Sequence, residues 1–590
     1  MVQAAGGLDE DALLSSLDEA AQARLIIEAG AVQRYRFAHA LVRDTLYAEL
    51  SAARQVTVHR RVAEAIETVH AARLDDHLPA LAHHWARASA PAAETGRAVD
   101  YAARAGDRAL AQLANDEAVA YYRQALELLD ASEGRPEEAR RLELLLALGE
   151  AQRRAGDPGH RETLLTAARL AQEQGDADAL ARAALSNTRA MFMGNFGKVD
   201  DERVEVLEAA LAAAEEADTA VRARLLATLA LELTFAGQGD RHFSLSDEAL
   251  ATVRRRGDPA TLAGVLLARY YTIYTPATLP ERLANTAELL QIARGLEDPV
   301  TRCRAAFIRL RCLAEIGDLE EAARCFEMGE SLAVELGQPA LLWTAAWNRV
   351  GRLAQPGRID EAERAAHHAL EVGRACGQPD AYLFFADQMY CLRREQGRVG
   401  ELEETLREAA DQWPGFPFLP LFLAHAYCAQ GREADARAIF DPLAAGRFAG
   451  LPFDLTWTVS MSAAADVAIH LGDLATAAVL YELGSPYADQ VVATAGVTSG
   501  TVGHYLGRLA TTLGRFDEAE WHFAAAAANH ERIGAPAWLA RTRLEWAGML
   551  LRRAGPGDAE RGQELLGQAL ATARELGLAN VERRAVDLLA

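Results

Sequence analysis

Gly317-Asp-Leu-Glu-Glu-Ala322 returns down the chain as Gly357-Arg-Ile-Asp-Glu-Ala362, Gly397-Arg-Val-Gly-Glu-Leu402, Gly431-Arg-Glu-Ala-Asp-Ala436, Gly472-Asp-Leu-Ala-Thr-Ala477 and Gly514-Arg-Phe-Asp-Glu-Ala519. The glycines stand 40, 40, 34, 41 and 42 residues apart. A period of that size marks a solenoid of stacked units. The glycine is expected to end one helix in a left-handed cap. The acidic residues open the next helix, where the macrodipole favours them. The small residue that closes the motif lets that helix pack tightly on its predecessor. Four residues further on stands Phe326, Ala366, Leu406, Phe440, Tyr481 or Phe523, on the same helix face. The second helix of each unit then ends in another glycine, often with proline two residues on, as in Gly257-Asp-Pro259, Gly337-Gln-Pro339, Gly377-Gln-Pro379 and Gly534-Ala-Pro536. Each unit therefore reads helix, turn, helix, turn.

Composition agrees. Of 590 residues, 50% are apolar and only 7% aromatic, and the abundance of Ala and Leu favours helix over sheet. The formal charge of −23 argues against nucleic acid as a direct partner, which needs clustered positive charge. The six cysteines contain no C-x-x-C pair and read as reduced, buried thiols of a cytoplasmic protein. The N-terminus shows no signal-peptide pattern, and no apolar run reaches the length of a membrane span.

The repeat resembles the tetratricopeptide repeat, with Ala at its small position and an aromatic four residues on. Its period is about 40 residues, longer than the family norm of 34. It is similar in this to the extended helices in sensor domains of large bacterial regulators of the MalT type. The expected fold is all-α: a right-handed, TPR-like helical solenoid of about eleven helix pairs. Two connections break the rhythm, Trp413-Pro-Gly-Phe-Pro-Phe-Leu-Pro420 and the stretch 442–456, where proline spacing is expected to forbid continuous helix.

The first 130 residues differ. Residues 8–24 read as an amphipathic helix. Leu25-Ile-Ile-Glu28 and Tyr35-Arg-Phe37 read as short strands joined through Gly30, and a helix follows from about Ala38. With His59-Arg-Arg-Val-Ala-Glu-Ala-Ile66, Leu81-Ala-His-His-Trp85 and Ala98-Val-Asp-Tyr-Ala-Ala-Arg-Ala-Gly-Asp107, the segment resembles the piece that links ATPase module to repeats in actinobacterial signal-transduction ATPases of the STAND class, related to MalT and the large LuxR-type activators. The resemblance implies a partial winged-helix domain over 1–75, linking helices and a first repeat over 76–130, and the solenoid over 131–590. It also implies that His39, in Phe37-Ala-His39-Ala-Leu-Val42, would touch the ADP phosphate when an ATPase domain is present. This chain lacks a G-x-x-x-x-G-K-[ST] loop; Gly194-Asn-Phe-Gly-Lys198 has the wrong spacing. A helix-turn-helix of the kind the large LuxR-type activators carry at the C-terminus is not read in this sequence. No cofactor is therefore expected on this chain itself, ATP or ADP entering only through a missing or separate ATPase domain.

No nucleophile elbow or ordered triad is present, so the chain is expected not to be an enzyme. The pairs His83-His84 and His367-His368 do not read as metal sites, because adjacent helical residues point about 100° apart. Aromatic residues cluster on first helices of the units: Tyr270, Tyr271 and Tyr274; Trp343 and Trp347, with Arg349 and Arg352; Phe384, Phe385 and Tyr390. They read either as packing between helices or as a ligand groove carrying Tyr270, Tyr274, Trp343, Trp347, Arg349 and Phe385. The leading functional reading is a non-catalytic sensor or scaffold module of a signal-transduction ATPase or transcriptional regulator. It would bind a protein, a peptide or a small inducer, with no nucleic acid and no membrane involved. The alternatives are a truncated part of a larger ATP-dependent regulator or nucleotide cyclase, and a stand-alone TPR adaptor.

Overall fold

The computed structural model describes residues 1–590 apart from 8, 30–33, 89–91, 132–137, 189–198, 215–218, 236–238, 256–257 and 495. The expected turn at Gly30, the cap at Gly257 and the run 194–198 lie outside the described residues. Within them the chain forms 30 α-helices and two two-stranded antiparallel sheets. It divides into two compact units, Met1–Asn187 and Thr188–Ala590. No helix among the described residues is long and apolar enough to cross a membrane. The six cysteines are unpaired, five of them buried and Cys376 half-buried.

The first unit opens with the expected order. The helix Glu10–Gln22 is capped by Asp9, whose carboxylate accepts from Ala12 N–H at 2.9 Å. Strands β1 (Ile26–Glu28) and β2 (Tyr35–Phe37) pair with Ile27 opposite Arg36. The helix Ala40–Ala48 follows. None of these four elements buries a residue, so this piece has no core of its own. Burial begins in the helix Ala52–Val69 with His59, Ala63 and Ile66 and deepens at Leu81 and Trp85.

The second unit is a stack of helix pairs, and the tetrad works there as its chemistry dictates. All six repeat glycines have positive φ, from 64° at Gly472 to 91° at Gly357, the left-handed geometry that a Cβ disfavours. Asp318 and Asp473 cap the next helix through Glu321 N–H at 3.1 Å and Thr476 N–H at 3.0 Å. Ala322, Ala362, Leu402, Ala436, Ala477 and Ala519 are all buried, as are Phe326, Leu406, Phe440 and Phe523 four residues on. Each first helix also meets the next first helix, as Phe418–Ala429 meets Trp457–Leu471 and this meets Val502–Thr512. The first helices thereby form an inner layer.

Two features depart from the sequence reading. The helix Glu433–Ala445 runs through Pro442 instead of stopping before it. Pro442 sits close to the helix end, where a missing N–H removes a single intrahelical bond. The connection 485–501, on which the sequence reading placed no element, carries a second hairpin. Strands β3 (Val491–Thr494) and β4 (Val497–Thr501) pair antiparallel with a bulge between Val491 and Ala493. This hairpin lies on the inner layer, β3 against the helices Pro299–Ile316 and Trp457–Leu471 and β4 against Pro339–Ala354 and Ala381–Gln396.

Candidate functional site

One residue of each tetrad-bearing unit faces inward at the same register, six residues before the capping glycine: Arg311, Gly351, Cys391, His425, Asp466 and Arg508. The hairpin takes the first part of this row. An added Cβ on Gly351 would come within 1.7 Å of the Gly496 carbonyl oxygen, and Cys391 Sγ lies 3.2 Å from Ser499 Oγ. His425, Asp466 and Arg508 instead line a cavity of about 340 Å³.

Six inner helices build this cavity. Arg394 comes from Ala381–Gln396, His425 from Phe418–Ala429, Asp466 and His470 from Trp457–Leu471, and His504 and Arg508 from Val502–Thr512. The helix Pro536–Arg553 adds Trp538, Arg541 and Glu545, and Ala579–Leu589 adds Asn580, Arg583 and Arg584. Equivalent positions on neighbouring inner helices touch, so the charges form a ladder of alternating sign. Arg394 and Arg508 each bond one oxygen of Asp466. Arg508 Nε is 3.8 Å from Glu545 Oε1, which Arg584 Nη1 approaches to 2.7 Å. Arg541 pairs with Glu395 at 3.0 Å and also donates to the Arg394 carbonyl.

Burial alone would raise the Asp466 carboxyl, but Arg394 and Arg508 hold it well below the usual carboxylate range. Burial lowers His425 to about 4, against the opposing pull of Asp466. Burial also holds His504 neutral, assisted by Arg508 and His530. A hydrogen-bond chain fixes its tautomer. Thr501 N–H donates to His530 Nε2 at 3.0 Å, so the proton of neutral His530 sits on Nδ1. That nitrogen donates to Thr542 Oγ1 at 3.1 Å, whose hydroxyl donates to His504 Nδ1 at 2.9 Å. His504 is left with its proton on Nε2.

The residues singled out from sequence lie elsewhere. Tyr270, Tyr274, Trp343 and Trp347 are buried in the core of the second unit, none more than 7% exposed. They pack between helices and do not line an open groove. The Tyr274 hydroxyl donates to Glu315 at 2.6 Å, Trp343 meets Phe384 edge-on, and Trp347 lies under Gly496 of the hairpin. Arg349 reaches out to Glu330 on the surface. Phe385 is half-buried beside Tyr382 and His367. His39 caps the helix Ala40–Ala48, its Nδ1 3.4 Å from Leu41 N.

His83 and His84 gain a third neighbour that sequence spacing did not reveal. His59, from the preceding helix, brings the ligand atoms of all three within 4.8 Å of one another. Its Nδ1 lies 2.8 Å from His84 Nδ1, and its Nε2 lies 2.9 Å from the Tyr47 hydroxyl. Arg87 shares that hydroxyl at 3.2 Å. This arrangement is a hydrogen-bonded histidine pair beside a cation, and a guanidinium there opposes a second positive charge.

No protein-family model matches the sequence, and no curated protein matches it. Solved structures of similar fold include the APC/C hetero-tetramer Cut9–Hcn1, 15% identical over 92% of this chain and 98% of that one, with a TM-score of 0.42. A STAND protein with a tetratricopeptide repeat sensor, from Pyrococcus horikoshii, is 13% identical over 76% of this chain, which spans 60% of that protein, with a TM-score of 0.31. Yeast Tom70 is 12% identical over 86% of this chain and 99% of its own, with a TM-score of 0.33. The likeness is one of helical repeats, and no residue role is transferred from it.

Proposed function

We propose that this chain is a non-catalytic binding module, the sensor part of a STAND-type regulator, which takes a ligand on the inner layer of its second unit. The observation that carries this reading is the cavity, where six successive inner helices converge their polar side chains on one space. Convergent polar groups in a concave space are the mark of a ligand site. The protonation states favour binding over catalysis. A general acid or base works best near neutrality, whereas His425, His504 and Asp466 are each driven away from it.

The regulator context rests on residues 8–130, where helix, hairpin and helix follow one another with His39 at the strand-to-helix junction. In that context His39 would contact nucleotide only beside an ATPase domain supplied upstream or in trans. Ligand binding would act by favouring one of two states of the assembled regulator. A protein or peptide partner would use the outer surface, because the hairpin β3–β4 already covers part of the inner layer.

The test is a thermal-shift screen of the full chain against a metabolite library, with each stabilising compound checked by mass spectrometry after incubation. The reading predicts at least one stabilising compound that is recovered unchanged. Turnover of the compound, or a library without a stabiliser, contradicts it.

A further inference from the structure

We propose that the cavity takes a compact organic dianion, a phosphate monoester or a dicarboxylate; the inference rests on the binding-module reading above and names its ligand class. Charge comes first. Five guanidinium groups line the space, those of Arg394, Arg508, Arg541, Arg583 and Arg584. The carboxylates that partner them are three: Asp466, Glu545 and Glu395. Two positive charges are left over, in a chain whose formal charge is −23. Arg583 and Arg584 stand at the exposed mouth, and a cationic surplus lining a concave space draws a counter-charge into it.

An unused donor points the same way. Arg394 is 5% exposed, and its Nη1 makes no hydrogen bond although its Nη2 is bound to Asp466. Its guanidinium is held among the rings of Tyr390, Tyr505 and Trp538, at 5.8, 5.0 and 5.4 Å. That clamp fixes the plane of the fork, and a fixed fork recognises phosphate or carboxylate oxygens. The tautomer chain from Thr501 gives His504 an Nε2–H as a second donor on the same lining. The volume, about 340 Å³, lies at the small end of ligand pockets. It suits a small metabolite with one polar body and excludes a partner's helix.

The test uses the full chain at constant ionic strength. Glucose 6-phosphate and succinate are the probes, and glucose, acetate and sodium chloride are the controls. One or both probes should raise Tm by about 2 °C or more and titrate at one site per chain, while the controls do not. Which probe stabilises decides between the phosphate and the dicarboxylate. Arg394→Lys keeps the charge but removes the fork, and should weaken binding at least about tenfold. Because Arg394 is buried, Arg583→Glu at the exposed mouth is the second variant, with the same expected loss and a wild-type helical signal. The proposal is overturned if neither probe stabilises the chain beyond sodium chloride, or if both variants bind as the wild type does. An acidic peptide or another metabolite that binds in the probes' place, and is lost in Arg583→Glu, removes the dianion and leaves the binding-module reading standing.

Discussion

Among the described residues of the second unit, Arg282 and Glu315 form the most buried ion pair, 0% and 5% exposed. The pair is bidentate, with both N–O distances 2.7 Å. The Tyr274 ring lies 3.8 Å from the guanidinium, and its hydroxyl completes the carboxylate's shell. Tyr274 is therefore held for structure, which its place in the sequence did not distinguish from a ligand contact. Glu315→Ala leaves an uncompensated buried cation and should cost about 3–5 kcal/mol in urea unfolding, whereas replacing the pair together with Met and Leu should cost far less. A single-variant cost near zero contradicts this. Asp387 offers a second test. Burial pushes its carboxyl up to about 7, against the hydrogen bond from Thr494 and the charge of Arg311. The raised value means that the folded state holds this proton more tightly than the unfolded one. The contribution is whole below 3.8 and is lost as pH rises through 7. Asp387→Asn removes that dependence, so between pH 5 and 8 its Tm should rise relative to the wild type. Parallel curves contradict the assignment.

Among the elements, the repeats were legible and the hairpin was not. The glycine period announced every cap from Gly317 to Gly514 because a positive φ there constrains the sequence. The hairpin's signal was present in Val491-Val-Ala-Thr494 and Val497-Thr-Ser-Gly-Thr501, two β-branched runs separated by Ala495-Gly496. The surrounding helical rhythm masked it, and so short a hairpin owes its stability to the helices beneath. The cavity residues were missed for a related reason. Arg394 and Arg584 are 190 positions apart, and only the stacking of inner helices joins them. The row six residues before each glycine carried a trace of this, since charged Arg311, Asp466 and Arg508 interrupt apolar helices there. Gly351 marks where the hairpin tip needs room, with the Gly496 carbonyl in the space a Cβ would fill. Gly351→Ala should dislodge the hairpin, at a cost of about 1–3 kcal/mol. Hydrogen exchange across 491–501 should quicken while helical circular dichroism stays unchanged; unaltered exchange there contradicts the packing.

At the scale of the molecule, the second unit closes on itself. Gln355 donates to the Ile533 carbonyl at 2.8 Å, and Arg532 Nη2 donates to the Ile316 carbonyl at 2.8 Å. A Cβ on Gly397 would meet Asn580 at 2.5 Å. The last helices thus return to turns far earlier in the chain, and this return walls the cavity. A one-dimensional repeat argument predicts contacts only between neighbours, so closure was beyond its reach. Both units contain histidines made less basic by burial: His84 and His425 at about 4, His530 at about 3. With the unfolded value near 6.5, the unfolded chain binds more protons between those limits. Stability is whole above pH 6.5 and is lost as pH falls toward 4. Thermal scans from pH 7 to pH 5 should show Tm falling; a flat profile contradicts neutral burial of these rings. The central claim, that the inner layer of the second unit is the ligand site, is tested most directly by hydrogen exchange with mass spectrometry on the full chain, with and without saturating glucose 6-phosphate or succinate. The account predicts slower exchange in the peptides carrying Arg394, Arg508, Arg541 and Arg583, with residues 1–187 unchanged. Protection confined to other segments, or none at all, contradicts it.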